Sequence, residues 1–504
     1  MSAENPAASE NTKQTTACSR RDALKFLGAA TAGLAVAAAP PAMAAAGPAK
    51  GANPDGGAPG RGISRETLSS RGSAQGGILP VKYEVAVCGG GPAGLMAAIA
   101  AARNGAKTIL IERYGFLGGM ATQSLVSPLS VFNKNRKRII GGIPLEFAEL
   151  METLGGADTT YPSGNIHFDP EIYKLAAQRM VFASGGSLIL HSYISGCLRE
   201  GDGNGRITGI VIENKSGRQK IEARYFIDCT GDADVIKFAG LPYVMGDGES
   251  HELQPMTLWF RLGGVDTDRL ENMEMRESGK RHVNSRIRDA LLKLGNEAPV
   301  PQFGGPWMFT TFRKGEASVN MSRYAGNGTD VLSLTQAECT LREDVFKLVK
   351  LLREHFPEFK NAYLIDTGTQ VGIRETRRIT GLYEMTLDDI MAPKDFPDTV
   401  AKGGHPVDIH KAGSREQDLR AVKTGYNIPY RSMIPVGSDN LIAAGRPICA
   451  AREAFASIRV QATCMALGQA AGTAAALCHQ KDIPVHKLDG AELNGILRKQ
   501  GAVV

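Results

Sequence analysis

Residues 83–112 place the tightest limit on the fold. Tyr83-Glu84-Val85-Ala86-Val87-Cys88 is a short β-branched run suited to a buried parallel strand. It enters Gly89-Gly90-Gly91-Pro92-Ala93-Gly94, with glycine at the first, third and sixth positions of the turn. A small-residue helix follows over residues 95–104, Gly105 stops it, and a second strand over 108–111 ends at Glu112. Each part has a mechanical job. Gly89 permits the tight turn, Gly91 lets the backbone approach a pyrophosphate, and Gly94 lets helix and strand pack closely. The helix N-terminus offers unpaired N–H groups and a positive dipole end to phosphates. Glu112 suits a ribose and its charge repels a 2′-phosphate. A glycine-rich loop alone is weak evidence. Strand, helix, second strand and terminal acid at the required spacing together read as a dinucleotide-binding unit.

The segment before this unit reads as an address. Ser19-Arg20-Arg21-Asp22-Ala23-Leu24-Lys25 resembles the twin-arginine export motif, with Ala23 where Phe is more usual. An apolar stretch over residues 26–39 and the small-residue sequence Pro40-Pro41-Ala42-Met43-Ala44 follow, so residues 1–44 are expected to be a cleaved leader. The resemblance implies the twin-arginine machinery as a partner and a periplasmic or otherwise exported location. That route carries folded proteins, usually with a cofactor already inserted. Residues 45–80 are Gly, Pro, Ser and Ala with scattered charge and read as a flexible linker. Seven of the eight cysteines lie beyond the leader, widely scattered and without C-x-x-C, which argues against a disulfide framework or a cysteine metal site. The net charge of +6 is mixed along the chain and only 6% of residues are aromatic, so a nucleic-acid partner is not expected. No apolar run of about 18 residues follows the leader, so no membrane span is expected in the mature chain.

Downstream, Asp169-Pro170-Glu171 opens a helix running to Gly185. Strands are expected over 187–190, 207–213 and 221–228, joined by glycine-rich hairpins at 201–205 and 215–217. The last strand ends in Asp228-Cys229-Thr230-Gly231-Asp232-Ala233-Asp234. Near the C-terminus, residues 440–444 read as a strand running into Gly445-Arg446, Ser457-Ile458-Arg459 follows, and a small-residue helix occupies 464–476. Together with Gly118-Gly119-Met120-Ala121-Thr122, Gln254-Pro255-Met256-Thr257 and Gly372-Ile373-Arg374-Glu375-Thr376-Arg377-Arg378, this order resembles the FAD-dependent oxidoreductases distantly related to fumarate reductase flavoproteins. The similarity covers about residues 81–479.

The resemblance implies an α/β chain: a Rossmann-like FAD-binding domain with a β-meander, over 81–240 and 425–504, and an inserted α+β substrate or capping domain over 241–424. It implies a small-molecule substrate, an electron acceptor the sequence does not name, and FAD contacts at Gly89, Gly91, Pro92, Ala93, Gly94, Glu112, Arg113, Gly118, Gly119, Met120, Thr230, Gly231, Asp232, Gly445, Arg446, Thr463, Met465 and Gly468. A helix start near residues 463–465 would stabilise negative charge on reduced flavin through its free N–H groups. No histidine occurs between Glu112 and Ser130 to carry a histidyl-flavin bond, so FAD is expected to be noncovalent.

In the middle of the chain, Thr335-Gln336-Ala337-Glu338 reads as a capping box opening a helix with Leu341, Val345, Leu348, Val349 and Leu352 on one face. Residues 256–263 and 316–323 read as strands of a sheet over the flavin's reactive face. Arg374, Arg377, Arg378, Tyr430, Arg431, Arg446 and Arg459 are candidates for acidic substrate groups or phosphates, against a background in which each pairs with a neighbouring acid. Arg374 and Tyr430, with His405 and His410 in an expected loop, form the candidate catalytic set; either histidine can serve as general base. Their spacing does not supply a metal site. Three activities remain open at this point: oxidation of a small polar substrate, fumarate-reductase-like reduction of an activated double bond, and electron carriage without a substrate.

Overall fold

Strand β1 (Tyr83–Cys88) pairs in parallel with β2 (Thr108–Ile111), and its residues from Val85 to Cys88 are fully buried. That burial on both faces explains its unbroken apolar run. The computed structural model describes residues 82–160, 164–201, 205–247, 251–270, 283–299, 306–411 and 417–504. The expected leader and linker lie outside the described residues. Helix α1 (Pro92–Arg103) joins β1 to β2, and helix α2 (Pro170–Ala183) leads to β3 (Ser187–Ile189), which extends the parallel sheet beside β2. Asp169 caps α2, accepting from the N–H groups of Glu171 and Ile172.

The meander has one strand more than the sequence suggests. Strand β4 (Tyr193–Arg199) precedes β5 (Ile207–Asn214) and β6 (Gly217–Asp228), and both pairings are antiparallel. The first hairpin therefore joins β4 to β5 rather than β3 to β5. Ser195 and Gly196 interrupt the apolar alternation of β4, and none of its residues is fully buried, so the strand leaves little periodic signal. Strand β6 does two jobs. Its first half closes the meander, and its second half lies in the parallel sheet beside β1.

A second hydrophobic core, running from Met256 to Ile373, lies around four antiparallel strands. These are β7 (Phe260–Gly263), β8 (Trp307–Thr310), β9 (Ala317–Asn320) and, after helix α3 (Val331–His355), β10 (Tyr363–Thr367). Their order is β8-β9-β7-β10. Phe260, Leu262, Met308, Ala317 and Val319 share this core with Leu341, Val345, Leu348 and Leu352 of α3. The expected capping box at Thr335 is not the start of α3. Asp330 caps the helix five residues earlier by accepting from the N–H groups of Leu332 and Ser333, Thr335 donates to Val331 O, and Glu338 accepts from Val371 N at 2.7 Å.

Strand β11 (Val407–His410) follows, then β12 (Leu441–Ala443), which pairs in parallel with β6. Met385, Ile390, Val400, Val407 and Tyr426 belong to the core of the parallel-sheet half. Helix α4 (Gln461–Lys481) packs along α1 through missing side chains: a Cβ on Gly468 would lie 2.0 Å from Ala93 O, and one on Gly472 2.1 Å from Ala97 O. Helix α5 (Gly490–Lys499) completes the chain. Among the described residues no helix is long and apolar enough to cross a membrane.

Candidate active site

The C-terminal ends of β1, β2, β6 and β12 all open onto one cavity of about 480 Å³, the position where parallel α/β sheets receive ligands. At the end of β1 the three glycines of the turn have separate duties. Gly89 has φ +99° and a Cβ there would sit 2.5 Å from Cys229 O, while a Cβ on Gly94 would sit 1.7 Å from Gly89 O. At Gly91 a Cβ would meet nothing nearer than Gly119 Cα at 3.8 Å, which leaves the backbone open for approach. Gly89, Gly91, Pro92 and Ala93 line the cavity; Gly94 serves packing behind it.

Glu112 lines the cavity with both carboxylate oxygens already tied to backbone. Oε2 accepts from Gly90 N at 2.7 Å and Oε1 from Tyr114 N at 3.0 Å, while burial pushes its pKa up. Arg113, Gly119 and Met120 also line the cavity. Gly118 does not: its φ is +119°, a Cβ would strike Thr122 and Tyr173, and its N–H donates to Gly90 O. After β6, Asp228 accepts from Thr230 N, Thr230 Oγ1 and Ile236 N, which fixes the turn that presents Thr230, Gly231 and Asp232. Burial raises Asp228 to about 6.

Asp232 Oδ1 accepts from Arg446 Nη2 at 2.9 Å and Thr376 Oγ1 at 2.7 Å, joining the ends of β6 and β12. Arg446 and Gly445 line the cavity. Arg377 pairs with Asp234, Arg378 with Glu375 and Arg431 with Asp398, so these three guanidiniums carry structural ion pairs. Helix α4 begins at Gln461, earlier than residues 463–465, and its N-terminus has no side-chain cap. Val460, Gln461 and Cys464 therefore face the cavity. Thr463 and Met465 are buried in the core and Gly468 packs on α1, so none of the three lines the cavity.

The inner end is built from the antiparallel sheet and β11. Alternation along β8 and β9 sends Met308 and Val319 into the second core and puts Trp307, Phe309 and Asn320 on the cavity side, with Trp259 just before β7. Both tryptophans of the chain are on this wall. Arg374 also lines the cavity; its Nη1 donates to Pro255 O and Thr257 Oγ1, each at 2.6 Å. Burial, and then the charges of Arg323 and Arg459, hold its pKa well below the usual guanidinium range.

His405 and His410 both line the cavity, in different states. His405 Nδ1 lies 2.8 Å from Pro406 O. A carbonyl only accepts, so that contact puts the proton on Nδ1 and leaves the Nε2 lone pair free. Burial lowers the pKa and keeps the ring neutral. Ser457 donates to His405 O and shares a hydrogen bond with Tyr426, which anchors the backbone here. His410 is the last residue of β11, not a loop residue. Its Nε2 is 3.3 Å from Asp408 Oδ1, and burial followed by Arg374 pushes its pKa down to about 3. Burial pushes Asp408 up, but His410 and Arg459 outweigh it and hold the carboxyl well below its ordinary value.

Tyr430 is not brought to the cavity. It is buried elsewhere, with its hydroxyl donating to Val485 O at 2.9 Å. Sequence reasoning also missed wall residues: Trp259, Trp307, Phe309, Asn320, Asp408, Gln461 and Cys464. Two rare tryptophans near expected strands were the available signal. Among the described residues no group of three or more His, Cys, Asp or Glu is placed to hold a metal ion.

A family profile described as FAD dependent oxidoreductase matches residues 84–497. Among curated proteins, the chain is similar to a tRNA uridine 5-carboxymethylaminomethyl modification enzyme of Desulfotalea psychrophila, 26% identical over 209 residues, 38% of this chain and 30% of that protein. It is also similar to a mitochondrial dihydrolipoyl dehydrogenase of Schizosaccharomyces pombe, 26% identical over 193 residues, 36% of this chain and 33% of that protein. The chain thus spans about a third of the length of these curated relatives. Among solved structures, a geranylgeranyl bacteriochlorophyll reductase-like protein of Thermoplasma acidophilum aligns at TM-score 0.41 and 14% identity over 85% of each chain. The p-nitrophenol 4-monooxygenase of Pseudomonas putida aligns at TM-score 0.41 and 10% identity over 82% of each chain.

Proposed function

Because the chain belongs to the FAD-dependent oxidoreductase family, we propose that it oxidises a C–H bond of a small polar organic substrate, with His405 Nε2 as the proton acceptor. In this reading His405 takes the proton of the hydroxyl or amine adjoining that carbon. FAD, when bound, would supply the acceptor for the hydride at that carbon, with quinone, a carrier protein or oxygen as the onward acceptor.

The residues present suit that cofactor. The open backbone at Gly91, the uncapped start of α4 and the lining side chains of Glu112, Arg113 and Arg446 stand along one cavity. Gly89, Pro92, Ala93, Gly119, Met120, Thr230, Gly231, Asp232 and Gly445 would complete the binding surface, with Gly94, Gly118 and Gly468 shaping it from behind. The histidine-free stretch after Glu112 favours noncovalent attachment. The motif at residues 19–25 favours export by the twin-arginine route.

The observation that carries the assignment of the base is the 2.8 Å contact from His405 Nδ1 to Pro406 O, which leaves the opposite nitrogen unprotonated at the cavity. His410 spends its Nε2 on Asp408 and is opposed by two arginines, so it positions rather than accepts. Anaerobic titration of the FAD-loaded protein with sugars, hydroxy acids and amines tests the reading. One compound should bleach the flavin, and His405→Gln should slow that bleaching about 10²- to 10⁴-fold without releasing FAD. Bleaching only by a protein or viologen donor, with reoxidation by an enoate, would reverse the direction. An undiminished rate in His405→Gln would remove the base.

A further inference from the structure

Three arginines meet at the inner end of the cavity with one carboxylate among them. Arg459 Nη2 lies 3.3 Å from Asp408 Oδ2. Among the described residues, neither Arg323 nor Arg374 has a carboxylate within ion-pair distance. Arg323 and Arg374 instead donate to the same hydroxyl, Thr257 Oγ1, at 3.0 and 2.6 Å. Arg323 adds Asn320 Oδ1 at 2.6 Å and Ser322 O at 2.7 Å, all through Nη1, while its Nε and Nη2 are buried without a partner. Arg459 Nε and Gln254 Nε2 are in the same condition. Arg374 spends only Nη1 on protein acceptors among the described residues.

Burying several guanidiniums beside one another is unfavourable unless a counter-charge is supplied, and orphaned buried N–H donors add to the cost. Burial pushes Arg323 down to about 10, and burial, then the charges of Arg323 and Arg459, hold Arg374 well below the usual guanidinium range. Arg374 and Arg459 line the cavity, so an entering anion would supply the missing counter-charge there, and a carboxylate matches the guanidinium fork. The neighbouring wall is aromatic. Trp307 stands directly opposite Asn320 in the ladder, and the rings of Trp259 and Phe309 are stacked, 6.4 Å apart and inclined by 9°. A flat apolar group beside the anion would find its surface there.

We infer that the inner end of this cavity accepts an aromatic carboxylate, its charge held by Arg374 and Arg459 with Arg323 behind them, and its ring against Trp259, Trp307 and Phe309. This deepens the oxidase or dehydrogenase reading above by naming a substrate class. The test uses the FAD-loaded protein and three unreactive probes: benzoate, benzamide and acetate. Perturbation of the flavin spectrum and of tryptophan emission reports binding.

Benzoate should bind at least tenfold more tightly than either of the other two. Arg374→Gln should weaken benzoate at least tenfold and leave benzamide unchanged, and Trp307→Leu should weaken benzoate and benzamide alike. Equal affinity for benzoate and benzamide would overturn the anion site, and equal affinity for benzoate and acetate would overturn the aromatic wall; both comparisons are made on the unaltered protein. If benzoate binds but no sugar, hydroxy acid, aromatic acid or amine reduces the flavin, the inference stands and the oxidation reading falls. If neutral compounds alone bleach the flavin and benzoate is ignored, the inference falls and the oxidation reading stands.

Discussion

Replacing Gly468 with alanine drives a methyl group into the first turn of α1. The new carbon would lie 2.0 Å from Ala93 O, 2.8 Å from Ala93 C and 2.9 Å from Ala93 Cα. These are backbone atoms, so no side-chain rotation clears them, and ordinary contact near 3.5 Å requires the helices to part by about 1.5 Å. Overpacking of a close interface costs about 1–3 kcal/mol, and a backbone obstacle belongs at the top of that range. Alanine's better helix propensity returns about 1 kcal/mol, leaving a net loss of about 2 kcal/mol. Ala93 also lines the cavity, so FAD affinity should fall about tenfold, equivalent to about 1.4 kcal/mol. Urea unfolding of the flavin-free protein and FAD titration measure the two effects separately. Gly495→Ala is the control: it lies in α5 with nothing within 4 Å of an added Cβ, so it should stabilise by up to about 1 kcal/mol. A Gly468→Ala protein with unaltered stability and FAD affinity would refute the packing argument.

Other consequences are as direct. His410 titrates near 3 in the folded chain against about 6.5 unfolded, so the unfolded state takes up the proton first. Its stabilising effect is complete above pH 6.5 and lost as pH falls toward 3, about 2 kcal/mol being lost by pH 5. His410→Asn should flatten that slope between pH 7 and 5, whereas Asp408 acts only below its ordinary value near 3.8; an unchanged slope would contradict the assignment. Asp330→Ala should cost about 1 kcal/mol of unfolding free energy through the lost helix cap. Thr335→Ala should cost less than about 0.5 kcal/mol, and the opposite order would reinstate a capping box. Tyr430→Phe should lose about 1 kcal/mol with its bond to Val485 O and leave flavin reduction unchanged; a tenfold slower reduction would return Tyr430 to the chemistry.

The nucleotide end was legible because its constraints are local. The turn from Gly89 to Gly94, the apolar run of β1 and the acid at Glu112 are consecutive, and each answers to backbone sterics that the sequence displays directly. The face of α3 was legible for the same reason, through periodicity. Its start was not: Asp330 and Thr335 are both good caps, and Val371, whose N–H claims Glu338, is distant in sequence. The early start of α4 had no marker because Val460 offers no side-chain cap. Strand β4 was hidden by Ser195 and Gly196. The inner site was the least legible part. Arg323, Arg374, Asp408 and Arg459 come from four separate segments, and only the pairings of Arg377, Arg378, Arg431 and Arg446 with nearby acids show which arginines are left without one.

The two tryptophans on the cavity wall make the cofactor site directly observable. Flavin-free protein titrated with FAD should turn yellow and lose tryptophan emission together, both changes saturating at about one FAD per chain. Folded protein that leaves FAD free and its tryptophan emission unaltered would contradict the account.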